Sequence, residues 1–142
     1  MDRAGASCGR PATLHVELPP GAQAARRARQ VAARMLALDP PLCPRPVAED
    51  LVLIVSELVT NAVTHATGPY ALTVSMEEER AGIAVSDGSA DLSGGHGHGP
   101  GHRHEERTAE NGRGLRIVRA LGADLFVSPS DSGKQVIAIM TW

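Results

Sequence analysis

Aromatic side chains are nearly absent: Tyr70, Phe126 and Trp142 make up the whole 2%. The core must therefore be aliphatic, and the shortage argues against recognition by stacking bases on aromatic rings. Excess charge is missing as well. A formal net of −2 leaves no electrostatic footprint for nucleic acid. The one basic cluster, Arg26, Arg27 and Arg29, reads as the solvated face of a helix. Cysteine is limited to Cys8 and Cys43, at no metal or redox spacing, which fits free thiols in a reducing cytoplasm. No run is long and apolar enough to span a membrane; the densest, residues 51–55, sits inside an amphipathic pattern. The first ten residues lack an apolar stretch, so no signal peptide is expected. These absences predict a cytoplasmic protein with neither membrane nor nucleic acid as direct partner.

What is present fits one domain. A chain of 142 residues can bury a single core without staples. Residues 1–11 read as a flexible tail and 12–142 as the domain. Residues 13–18 alternate as a strand, ended by Pro19-Pro20-Gly21. An Ala- and Arg-rich helix is predicted over 22–38, with Ala24, Ala28, Val31, Met35 and Leu38 on its apolar side. A Pro-rich link through Pro46 leads to a second helix, closed by Gly68-Pro69. A hairpin over 70–77 and 81–86 follows, then a long aperiodic segment, 87–111, dense in Gly and His. Loops of that length in compact domains are usually lids or disordered inserts, and a lid is placed at about 88–111. A short helix over 115–121 and strands over 124–128 and 135–140 complete the chain. The expected fold is an α/β two-layer sandwich, a mixed and mostly antiparallel sheet with helices on one face.

Three stretches carry chemistry. In the second helix Leu51, Ile54, Val55, Leu58, Val59, Ala62 and Val63 form one apolar stripe. Glu57, Asn61 and His65 follow at i, i+4 and i+8 along a single ridge. A carboxylate one turn before a carboxamide supplies a proton acceptor and an oxygen ligand for a hard cation. A plain polar edge on an amphipathic helix is the competing reading. In Val85-Ser86-Asp87-Gly88-Ser89 an acid stands where a strand ends and a turn begins. Its carboxylate can accept a hydrogen bond from an exocyclic amine such as that of adenine, while Gly88 lets backbone approach the ring. An Asx turn explains the same residues without a ligand. Lastly, Gly112 and Gly114 in Asn111-Gly112-Arg113-Gly114-Leu115-Arg116 present backbone N–H groups at the positive end of a helix, which favours phosphate. Arg113 can add a charge-assisted contact. A tight loop-to-helix junction needs such glycines too.

Taken in this order, the three stretches resemble the boxes of the GHKL (Bergerat-fold) ATPases, over roughly residues 14–140. Within that superfamily the chain is most similar to the small anti-sigma-factor serine kinases and their actinobacterial-type ATP-binding relatives. The segment from Glu57 to Ala66 looks like the N box, Val85 to Ser89 like the first glycine box, and Gly112 to Val118 like the second. Gly133-Lys134-Gln135-Val136 resembles the turn into the last core strand. The resemblance implies ATP and Mg²⁺ as cofactors, with Asn61 as metal ligand and Glu57 as general base. It implies Asp87 and Gly88 at adenine, and Gly112, Arg113, Gly114 and Leu115 closing lid and helix on the phosphates. His65 would support the helix end. The implied activity is transfer of the ATP γ-phosphate to a serine of a small antagonist protein of the anti-anti-sigma kind. Sequestration of a sigma factor and a homodimer belong to the same expectation. A non-catalytic ATP-dependent binding switch is the alternative.

Two features depart from the family pattern. Ala90 stands where many members carry a further glycine, and the lid places four of six histidines between His96 and His104. Two His-x-His pairs suit Zn²⁺ or Ni²⁺, but a solvated low-complexity lid is the preferred reading. Protonation below about pH 6.5 would add positive charge near the phosphates.

Overall fold

The computed structural model describes residues 11–38, 40–89, 112–130 and 133–142. Most of the expected tail, nearly all of the expected lid and its His-rich run lie outside these residues. The described chain runs β1 (Ala12–Leu18), α1 (Ala22–Leu36), α2 (Arg45–His65), β2 (Tyr70–Glu77), β3 (Arg80–Asp87), α3 (Gly112–Ala120), β4 (Asp124–Ser130) and β5 (Gly133–Thr141). The strands form one sheet in the order β1-β2-β3-β5-β4. Every ladder is antiparallel, so the mixed character allowed by the sequence reduces to its antiparallel part.

Alternation decides which face of the sheet is covered. Leu72, Val74 and Met76 of β2, Ala81, Ile83 and Val85 of β3, and Val136, Ala138 and Met140 of β5 are buried, while the residues between them are half-buried. The apolar stripe of α2 meets this row: Leu51, Ile54, Val55, Leu58, Val59 and Ala62 are buried, and only Val63 of the expected set is half-buried. α1 and α3 both pack on α2, and α2 packs on β3. Arg29 of the solvated α1 face reaches across to α2, its Nη1 donating to Ser56 Oγ at 3.2 Å.

Element ends shift by small amounts with clear causes. α1 stops at Leu36 rather than residue 38, and Leu38 is exposed while Ala32 and Leu36 take the buried positions. The Pro-rich link runs into the helix it precedes: Pro44 is the N-cap of α2 and Pro46 lies in its first turn, where a missing N–H goes unused. α3 begins at Gly112, three residues ahead of the predicted start.

The end of α2 is fixed by a side chain. Tyr70 is buried, and its hydroxyl donates to the Ala66 carbonyl at 2.8 Å, partnering a backbone acceptor just beyond the last turn. Tyr70→Phe removes that bond while keeping the ring. A loss of about 1 kcal/mol is expected, read as a melting temperature lowered by a few degrees. A variant that melts with the wild type would show that the bond contributes nothing to stability.

Candidate functional site

The period-2 alternation of β3 continues to its last residue, and this determines what Asp87 does. Asp87 follows Ile83 and Val85 on the helix-facing side, so a carboxylate ends a row of apolar side chains. It is the one buried charged residue among those described. Such a group needs partners, and it has two. The Ser89 amide donates to Oδ1 at 2.8 Å, closing an Asx turn, and Lys134 Nζ donates to Oδ2 at 2.7 Å. Lys134 is the cross-strand neighbour of Asp87 and shares the inward parity of Val136 and Ala138. The Asx turn weighed in the sequence is therefore present, alongside an ion pair that the motif did not announce.

Two glycines make this corner compact. The Gly88 amide donates to the Thr67 carbonyl at 2.8 Å, joining the end of β3 to the loop that leaves α2. A Cβ on Gly88 would stand 2.6 Å from the Gly68 carbonyl oxygen, so only glycine fits. A Cβ on Gly133 would run into the Asp87 carbonyl on the neighbouring strand. The glycine at the strand end thus serves close backbone approach, here to the α2–β2 loop.

Glu57 and Asn61 lie on α2 on the turns preceding this loop, and both are half-buried. His65, four residues further, is exposed and ends the helix. β4 starts opposite Ile139, at the far end of the sheet from the Asp87–Lys134 pair. Residues 121–123 join it to α3, whose last residues therefore lie near that far end. Backbone at Gly112, Arg113 and Gly114 is helical, and Leu115 is buried in the core. The contact expected of the Arg113 side chain lies outside what is described.

Lys134 stands in the strand-opening motif Gly133-Lys134-Gln135-Val136, to which the sequence assigns no role. A signal for it exists, because it is the single lysine of the chain. Thr67 contributes only its backbone carbonyl, and no sequence signal marks it.

A surface concavity of about 710 Å³ lies elsewhere, lined by residues of the 77–80 turn with Thr141 and Trp142. It sits at the opposite end of β3 and shares no residue with the three motifs. Among the described residues no group of three or more His, Cys, Asp or Glu side chains converges to hold a metal. On α2 the carboxamide oxygen of Asn61 is instead the donor offered to a metal, with the Glu57 carboxylate one turn before it. That suits Mg²⁺, which takes few protein oxygens and completes its shell with phosphate and water. No helix among the described residues is long and apolar enough to cross a membrane.

An antiparallel sheet covered on one face by helices, with a polar ridge on the central helix and a buried acid at a strand end, defines an α/β sandwich of the GHKL ATPase class. The chain belongs to the family of histidine kinase-like ATPase domains, which it matches over residues 18–142. Comparison with curated proteins gives no match. An ATPase domain implies ATP as the ligand.

Proposed function

We propose that this chain is an ATP-dependent protein serine/threonine kinase of the anti-sigma-factor type. It acts on a serine of a small antagonist protein and holds a sigma factor when that antagonist is absent. The observation that carries the nucleotide part is Asp87, an acid buried at the strand end next to the loop leaving α2. In this reading Asp87 accepts the hydrogen bond of the adenine amine. Asn61 supplies an oxygen to Mg²⁺, and the N-terminal N–H groups of α3 face the phosphates.

Glu57 is the base. Its carboxylate takes the proton of the attacking serine hydroxyl as the oxygen–phosphorus bond forms, and the bond to the β-phosphate oxygen breaks to release ADP. ATP and Mg²⁺ supply the transferable phosphoryl group and neutralise its charge; positioning is the task left to the protein. The kinase assignment rests on the carboxylate one turn before the carboxamide, a proton acceptor that nucleotide binding alone does not require. Without transfer, the same site serves as an ATP-dependent binding switch.

Calorimetric titration with ATP, with and without Mg²⁺, tests the site. Wild-type protein is expected to bind more tightly with Mg²⁺, and Asn61→Ala to lose that increment, about tenfold or more. A folded wild-type protein that binds no ATP would defeat the reading altogether. Mg²⁺ dependence surviving in Asn61→Ala would remove Asn61 as the ligand.

A further inference from the structure

The chain carries 14 basic residues, of which thirteen are arginine and one is lysine. That single lysine is spent on Asp87. Its side chain is 15% exposed, whereas the Asp87 side chain is 1% exposed. Both oxygens of the carboxylate are engaged: Oδ1 by the Ser89 amide and Oδ2 by Lys134 Nζ. Each oxygen keeps a second lone pair, so it is enclosure rather than saturation that bars a ligand: with the side chain 1% exposed, an amine reaches the carboxylate only when a neighbouring donor moves aside. The Ser89 amide is tied by the chain to within two residues of Asp87. The ammonium sits on a flexible four-carbon stem in a side chain that is partly exposed, and it can swing into water. A guanidinium would clamp a carboxylate with two parallel bonds, whereas lysine holds it through a single point charge that can let go.

We propose that Lys134 competes with the nucleotide base for Asp87, so that base binding is an exchange of an ammonium for an exocyclic amine and Lys134 sets both affinity and base preference. The proposal rests on the reading of Asp87 as the base acceptor. Lys134 contacts the group that reads the base, and is a specificity-determining residue rather than a catalytic one. The exchange lowers affinity, because a charge-assisted bond is given up for a neutral donor. It also blunts discrimination. An ammonium beside the carboxylate accommodates a base that offers an oxygen in place of the amine, whereas the bare carboxylate repels it.

The test is titration of wild type and Lys134→Met with ATP and with inosine triphosphate, which carries O6 where ATP carries the amine. Each protein is also melted without nucleotide. Lys134→Met keeps most of the stem and deletes the charge. It is expected to bind ATP about tenfold more tightly than wild type, to bind inosine triphosphate no more tightly, and to melt at a lower temperature because Asp87 has lost its partner. A folded Lys134→Met with ATP affinity equal to or below that of wild type overturns the proposal. So does an equal gain for both nucleotides. Should Lys134→Met fail to fold, Lys134→Gln keeps a neutral donor beside Oδ2, and a smaller gain confined to ATP is expected. No gain in Lys134→Gln overturns the proposal as well. If wild type binds ATP and the variants are not tighter, the proposal fails while the nucleotide site stands. If no folded form binds ATP, both fail.

Discussion

Glu57→Ala is expected to lower the rate of phosphoryl transfer to an acceptor serine by about 10²–10⁴-fold while leaving ATP affinity close to that of wild type. The range is the usual contribution of a positioned general base, roughly 3–5 kcal/mol of barrier. Glu57 is half-buried on a helix held by its buried neighbours Leu58 and Val59, so removal of its carboxylate leaves the scaffold in place. Asn61 and Asp87, the groups assigned to the metal and the base, are untouched by the substitution. The measurement pairs label transferred from γ-phosphate to serine with a separate binding titration. Transfer lost with binding retained supports the base. Transfer unchanged removes Glu57 from the chemistry and favours the binding switch. Loss of both would indicate that Glu57 acts in binding, not as a base.

Much of this arrangement was legible because the patterns that encode it are local. The stripe from Leu51 to Ala62 follows helical periodicity, and its burial against the sheet follows from that period alone. The hairpin from Tyr70 to Asp87 was legible from alternation, and its turn falls where the charged residues 77–80 stand. Alternation carried one residue further would also have put Asp87 on the covered face. Partners distant in sequence were not legible. Asp87 and Lys134 are 47 positions apart and meet only because β5 inserts between β3 and β4. That strand order follows from the path of the chain through α3 and β4, which no local pattern reports. The same holds for Thr67 and Gly88, a backbone pair across a loop whose residues carry ordinary turn signals.

Asp87→Asn is expected to have the second large effect, and to act on stability and on base recognition together. Both carboxylate oxygens are acceptors, one for the Ser89 amide and one for Lys134. Asparagine offers a single oxygen, so whichever way its amide turns, an N–H₂ group faces a donor. Breaking a buried ion pair from one side costs about 3–5 kcal/mol, and the partial exposure of Lys134 points to the lower end, about 3 kcal/mol. For a domain of this size that is roughly 10 °C in melting temperature. At the nucleotide, losing a charged acceptor for the adenine amine should weaken ATP about 10–100-fold. The amide can donate to O6 of inosine triphosphate, so the preference for ATP falls, whereas Lys134→Met should raise it. Opposite movements of one ratio from the two halves of one ion pair are hard to produce by general destabilisation, which would weaken both nucleotides alike. A variant that melts with wild type and keeps the wild-type ratio would mean that Asp87 neither holds the strand end nor reads the base.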